Sequence, residues 1–232
     1  GFTTPNESFY VSCDYTFPGI AEHDWSLSVE GDVENPFQLN YDELFAMESR
    51  TIPVTLECAG NNRVFLEPKV KGVQWALGAV GNAVWKGVPL SVLLDRATTN
   101  VGATEIILEG ADAGPVEKTP RPTGAIHFAR SIPLRKAMDE VLLAYEMNGE
   151  RLTAAHGFPL RAIVPGWYAV ASVKWPHRIV VTDKPFARSY QSIDSAYWEP
   201  RADFATPVPT STMHVQPEIA RPAAAHALPT VS

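Results

Sequence analysis

Proline sets the first limit on this chain. Twenty prolines are spread over 232 residues. Each fixes its own φ, lacks an amide hydrogen and disrupts a helix interior at a cost of about 3 kcal/mol. Long helices are therefore excluded, and strands, short helices and ordered loops must carry the fold. The local patterns agree. In "DWSLSVE", residues 24–30, Trp25, Leu27 and Val29 alternate with polar residues, as a half-buried strand requires. "NYDELFAME" has Asn40 as N-cap and Glu43 at the third helical position, the capping box of a short helix. "TIPVTLEC" reads as a strand. "VPLSVLLDRA" reads as a helix with Pro89 early and an apolar face of Leu90, Leu93 and Leu94. "TEIILEG" is a strand and "SIPLRKAMDE" a short helix. "VLLAYEMNGERL" is a hairpin turning on Asn148-Gly149. "FPLRAIVPG" and "VKWPHRIVVTD" add two strands. The sum is an α+β fold with a mixed sheet.

After Trp198 the composition shifts toward Pro, Ala, Thr and Ser. We expect one domain over residues 1–205, then a linker or the truncated start of a C-terminal module over 206–232. Nineteen basic against 26 acidic residues give a net charge of −7, which argues against a nucleic-acid surface. No apolar run reaches the roughly 18 residues of a membrane span. Two cysteines, Cys13 and Cys58, are too few for a disulfide scaffold.

Cys58 is the first residue with chemistry to offer. It ends a strand and is followed by "AGNNR", where Gly60 lets the backbone bend and Asn61-Asn62 suit a turn. Arg63, Lys69 and Lys71 follow, and a thiol in a positive field ionises more easily. Such a thiolate is a soft metal ligand or a nucleophile. The ordinary fate of a free cysteine is burial as a small hydrophobe. A second cluster lies in "AAHGFPLRAIVPGWYAVASVKWPHR", where His156, Arg161, Lys174, His177 and Arg178 occur in a segment broken by glycine. Arginine and lysine with nearby backbone amides make a phosphate pocket, and Arg161, set in an apolar run, needs a partner. The alternative is solvated strand-edge charge. A third candidate is Asp112 in "EGADAGP", read as an acceptor just past a strand or as a turn-stabilising aspartate. Dinucleotide, P-loop, zinc-protease, haem and nucleophile-elbow motifs are absent from the sequence. Besides a metal site, a thiol hydrolase built on Cys58 and a silent binding module remain open readings.

In order along the chain, "TTPNESFYV", "ECAGNNR", "VKGVQWALGAVGNAVWKGVPLSVLL", "ILEGAD", "SIPLRKAMDEVLLAYEMNGERL" and "AHGFPLRAIVPGWYAVASVKW" resemble the sulfite oxidase family of molybdopterin oxidoreductases. The resemblance spans nearly all of residues 3–198. It implies the sulfite-oxidase-type mixed-sheet fold and a mononuclear molybdenum–molybdopterin cofactor. Cys58 matches the cysteine that ligates the metal. Asp112, His156, Arg161, Ser172, Val173 and Lys174 match cofactor contacts. Tyr10, Val11, Ser12, Cys13 and Asp14 match a further contacting loop, and Lys71 a lysine close by. Arg63 matches an arginine near the metal, expected to orient a small-molecule substrate. The family tyrosine beside the metal falls near "IDSAYW": direct register gives Ser195, and one gap gives Tyr197.

The resemblance further implies oxygen-atom transfer, with sulfite as the default substrate. An external electron acceptor or donor such as a cytochrome would complete the cycle, and a homodimer would form where the C-terminal module is present. The departures point elsewhere. Ser12 and Asp14 stand where the family carries an arginine and a histidine, which makes the mouth less positive for a dianion. Reduction of a sulfoxide or other S- or N-oxide is therefore the alternative, and a pterin-binding remnant without turnover is a third reading.

Overall fold

The computed structural model describes residues 2–116, 124–187, 190–191, 195–200 and 205–215. In chain order the elements are β1 (Ser26–Gly31), β2 (Phe37–Asn40), α1 (Tyr41–Phe45), β3 (Arg50–Glu57), β4 (Val80–Pro89), α2 (Leu90–Ala97), β5 (Glu105–Pro115), β6 (Ala125–Pro133), α3 (Leu134–Glu140), β7 (Leu142–Met147), β8 (Glu150–Arg151), β9 (Arg161–Ile163), β10 (Pro176–Thr182), β11 (Ala196–Pro200) and β12 (Ala205–Pro209). The longest described helix has eight residues, as the proline content demands. No described helix is long and apolar enough to cross a membrane.

One sheet has the order β2-β1-β10-β5-β6, with β1 and β10 parallel and the other pairs antiparallel. A second runs β3-β4-β7-β8, with β9 also on β7. The expected α+β mixed-sheet class is what forms. The Asn40 side chain accepts from Glu43 N, and the Glu43 carboxylate accepts from Asn40 N, so the capping box is complete. Asn148 and Gly149 both take positive φ, as a two-residue hairpin turn requires. Neither β4 nor β6 was among the strands expected from the pattern. The start of "SIPLRKAMDE" belongs to β6, because the helix begins only after Pro133.

Two cores divide the second sheet by its pleat. On β7, Leu143 and Tyr145 join Trp25, Leu27, Leu90, Leu93, Ile106 and Ile179 in a core shared with the first sheet. Leu142, Ala144 and Met147 face the other way, onto Phe9, Leu56, Ala83, Trp85 and Ile163. Trp85 is fully buried, and truncating such a side chain costs about 3–5 kcal/mol. Its face is the one that carries the site.

Residues beyond 205 also pack. Arg130 donates to Tyr190 O and Thr210 O, and Trp167 bridges to Thr212. The boundary expected at 205/206 therefore falls inside β12. Residues 216–232 lie outside the described part.

Candidate cofactor site

Cys58 follows the last residue of β3 and is half-buried. Cys58 N donates to Ala79 O at 2.9 Å, and Asn61 N to Cys58 O at 2.8 Å. Asn62 takes φ 67 to turn the chain. Gly60 N points at the sulfur from 3.4 Å. Asn61 locks the loop, donating to Glu57 Oε1 and accepting from Ala79 N. Arg63 folds back into the loop, with Nη1 donating to Val73 O at 3.1 Å. Its guanidinium lies where Cβ atoms on Gly60 and Gly72 would be, at 2.9 and 2.2 Å, and Gly72 also takes φ 110, which favours glycine there.

The expected easy ionisation of Cys58 is not what the structure shows. Burial raises the thiol pKa, and Asp14 and Glu57 add to the rise. The Gly60 amide and Arg63 oppose it without prevailing. A bare Cys58 is therefore protonated at neutral pH, and ionisation needs a further positive centre.

A polar cradle forms around Arg161, within electrostatic reach of Tyr10, as Cys58 is. Arg161, at the start of β9, is 7% exposed. Its guanidinium lies 5.4 Å from the centre of the Trp85 ring, a stacking cation–π contact. That ring is the partner its apolar setting required. Burial holds the Arg161 pKa down to about 10. His156 sits in a 3-10 turn stacked edge-on to Phe9, with ring centres 5.8 Å apart. Its Nε2 lies 3.0 Å from Asn6 O. A carbonyl only accepts, so Nε2 carries the hydrogen and Nδ1 is left as an acceptor. Burial, with Arg161 and Lys174 nearby, lowers its pKa and keeps the ring neutral.

Lys174 bridges to Arg161 and donates to Ala155 O, with its ammonium 4.6 Å from the Trp175 ring centre. Burial and then Arg161 bring its pKa down to about 8. Gly157, at φ 109, brings the turn against the Arg161 and Lys174 side chains. Asp112 was expected just past a strand. It lies instead inside β5, on a bulge, because β5 continues to Pro115. It is 5% exposed, and burial pushes its pKa up to about 6.

Tyr10 stacks on Phe9 and meets Trp75 edge-on at 6.1 Å. Its hydroxyl is buried within the electrostatic reach of Arg161 and Cys58, and burial raises its pKa. Val11, Ser12, Cys13 and Asp14 continue along an exposed segment. Asp14 acts electrostatically on Cys13, Cys58, Asp112 and Lys174, so this segment lies near both the loop and the cradle. Burial raises the Cys13 pKa as well.

Other candidates sit differently. Ser172 Oγ accepts from Val164 N, and the Val173 side chain is in the core, so their side chains serve the fold. Lys71 is exposed on the segment after the loop. Tyr197 lies on β11 with its ring 6.1 Å from that of His214, and Ser195 O accepts from Thr210 N. Neither contact brings the β11 region to Cys58. Sequence reasoning missed Phe9, Trp75 and Trp85 as the walls of the site. Trp85 sat in a strand that the pattern did not reveal, and Phe9 and Trp75 lie in loops where no periodicity marked them. A surface cavity of about 320 Å³ among Tyr41, Phe45, Tyr145 and Arg151 is lined by no candidate residue.

The buried polar atoms sharpen the picture. Among the described residues, Tyr10 Oη, Asp112 Oδ1, His156 Nδ1 and Arg161 Nε are buried and make no hydrogen bond within the chain. Folded proteins rarely leave such atoms unpaired, because each costs about 1–3 kcal/mol. These four fit a polar group with both donors and acceptors, although Glu105 Oε2, Arg130 Nε and His177 Nδ1 are in the same condition elsewhere in the fold. No group of three or more His, Cys, Asp or Glu side chains that could hold a metal occurs among the described residues. A metal here would therefore arrive with ligands of its own.

Loop and cradle together set one half-buried thiol near a group of buried polar side chains, with Tyr10 and Asp14 in electrostatic reach of both. The family model described as "Oxidoreductase molybdopterin binding domain" matches residues 15–190. The chain belongs to this family, that of the sulfite oxidases, whose cofactor is molybdenum–molybdopterin. It is 40% identical over 211 residues to a mitochondrial sulfite oxidase of Drosophila melanogaster, covering 88% of this chain and 35% of that protein. It is 37% identical over 212 residues to nitrate reductase [NADH] 1 of Nicotiana tabacum, covering 88% and 23%. Among solved structures it superposes on the sulfane dehydrogenase SoxCD from Paracoccus pantotrophus with a TM-score of 0.78 at 29% identity, covering 92% of this chain and 51% of that one. The chain thus spans about a third or less of the curated relatives named here.

Proposed function

We propose that Cys58 is the protein ligand to molybdenum and that the enzyme transfers an oxygen atom between water and a small substrate, with sulfite as the default. The observation that supports this reading is that Tyr10, Asp112, His156 and Arg161 each carry a buried polar atom without a hydrogen bond in the chain, with Tyr10 within electrostatic reach of both Arg161 and Cys58. When bound, the cofactor supplies two-electron redox chemistry. The chain's own residues do the rest. Arg161 and Lys174 offer cationic donors, His156 Nδ1 an acceptor, and Asp112 a carboxyl that titrates near 6. To hold a metal Cys58 would have to lose its proton, and the metal's charge would favour the thiolate that burial disfavours. Arg63 holds the loop and sets the positive side of the mouth. Electrons pass to an external partner, a cytochrome being one such carrier, and a second copy of the chain would pair through a C-terminal module.

A second reading has its own observation. Asp14 and Glu57 both oppose negative charge at Cys58, while Arg63 is bonded to Val73 O. Two carboxylates against one committed guanidinium disfavour a dianion. Reduction of a neutral S- or N-oxide fits that mouth better than oxidation of sulfite.

The test is metal and pterin analysis of wild type and Cys58→Ser, made in a host that synthesises the cofactor. We expect about one metal and one pterin per chain, with metal lost from the variant. Protein with neither would sink the assignment. Steady-state assays with sulfite and with methionine sulfoxide then choose between the substrates, and turnover of neither removes both.

A further inference from the structure

Asp112 owes its place to an irregularity in the first sheet. Glu109 pairs with Ala129 and Ala113 with His127, so β5 spends three residues, 110–112, where β6 spends one. The register of β10 on β5 shifts at the same point, between Pro176 and Arg178. Such a bulge re-aims side chains and is held by whatever satisfies its unpaired backbone groups. Ala111 N donates to Trp175 O at 2.9 Å on one side. On the other, Gly110 O lies 2.9 Å from Nδ1 of His127. Within the bulge the Asp112 carboxyl folds back over Gly110: a Cβ there would come within 2.4 Å of Asp112 Oδ1 and 2.8 Å of Lys174 O.

We propose that His127 positions Asp112: its Nδ1–H holds Gly110 O and keeps the bulge turned so that the carboxyl lies in the pocket. This rests on the reading of Asp112 as a cofactor contact. Gly110 O can only accept, so the ring must carry its hydrogen on Nδ1, in the neutral or the protonated form. The ring is steadied by His177, with centres 4.8 Å apart. His177 lies 3.6 Å from the Glu109 carboxylate, which Arg178 approaches from 3.4 Å, and Arg178 also pairs with Glu30. Asp14 and Lys174 are the charged groups on the Asp112 side. His127 is exposed in its own strand. The part of it that matters is one donor atom, which asparagine reproduces at nearly the same place.

The experiment compares wild type, His127→Ala and His127→Asn by two readouts. The first is amide hydrogen exchange at Ala111 and Asp112, in protein from a host that cannot make the cofactor. The second is pterin per chain, from a host that can. Loss of one hydrogen bond should speed exchange in His127→Ala by about fivefold, with a matching fall in pterin at limiting cofactor. His127→Asn should restore both. Melting temperatures should stay together, because the His127 side chain that is changed is exposed. Unchanged exchange in His127→Ala overturns the clamp. Faster exchange with undiminished pterin shows that Asp112 does not depend on it, and overturns the proposal too. So does a His127→Asn variant that behaves like His127→Ala. Wild-type protein without pterin would fail the cofactor reading instead, and the exchange data alone would then judge the clamp.

Discussion

The Cys58 loop and the cradle around Arg161 solve the same problem, holding functional atoms still, by opposite means. The loop does it locally. Asn61, Gly60, Arg63 and Gly72 lie within fifteen residues of one another, and their bonds to Glu57, Val73 and Ala79 close a compact, partly exposed unit. The cradle does it globally. His156 is tied to Asn6 across 150 positions, Asp112 is aimed by a bulge, and Arg161 rests on Trp85 in the second core. A local device can be altered without disturbing the rest. A global one carries charge into the interior and is sensitive to every element that meets there.

That contrast can be broken by experiment, and the largest effect belongs to the cradle. Arg161→Leu removes the buried guanidinium, whose charge-assisted bonds are worth about 1.5–3 kcal/mol. Pterin per chain should fall at least about tenfold and take the metal with it. Cys58→Ser should lose metal while keeping pterin. If both variants lost both components equally, the two regions would be one unit.

The cradle's charges should also show in pH dependence. Lys174 titrates near 8 in the fold and near 10.4 when unfolded. Between those values the unfolded chain binds more protons, so stability rises with pH across the window. Asp112 behaves oppositely, with a folded pKa near 6 against about 3.9 unfolded. The folded chain holds the extra proton there, and stability falls as pH climbs from about 4 to 6. Urea titrations of cofactor-free protein should show each slope, on the order of 1–3 kcal/mol over its window. Lys174→Met should flatten the alkaline one and Asp112→Asn the acidic one, and slopes that survive the substitutions would place the charges elsewhere.

The loop should answer to smaller changes. Gly72→Ala puts a methyl group into the Arg63 guanidinium at φ 110, a strain of roughly 1–2 kcal/mol. Faster proteolysis between Arg63 and Val80, with pterin retained, is the expected result; loss of pterin would tie the loop to the cradle. Smallest is Asn40→Ala, remote from both. Losing its cap should lower stability by about 1 kcal/mol and leave metal and pterin contents alone.

The legible parts of this molecule were those whose cause is near in sequence. The capping box at Asn40, the Asn148-Gly149 hairpin and the glycine turn after Cys58 each depend on neighbours within a few positions. Strand β6 was harder to read: Arg130 interrupts its apolar pattern, and its partners, Tyr190 and Thr210, lie 60 and 80 residues away. The motifs singled out Cys58, Asp112, His156, Arg161 and Lys174 as candidates, but not their states. An arginine-bearing turn reads as a place for a thiolate, yet burial, a property of the whole fold, outweighs Arg63 and keeps Cys58 protonated.

Residue types and short spacings therefore determined which chemistry the chain can offer: a soft ligand, cationic donors, a carboxyl and an imidazole. Only the tertiary structure decided which of these share a pocket, which ring nitrogen of His156 accepts, and that Asp112 sits on a bulge within β5. The reason is physical. Bonding capacity belongs to the side chain, whereas desolvation and hydrogen-bond satisfaction depend on neighbours that the fold brings from far along the chain.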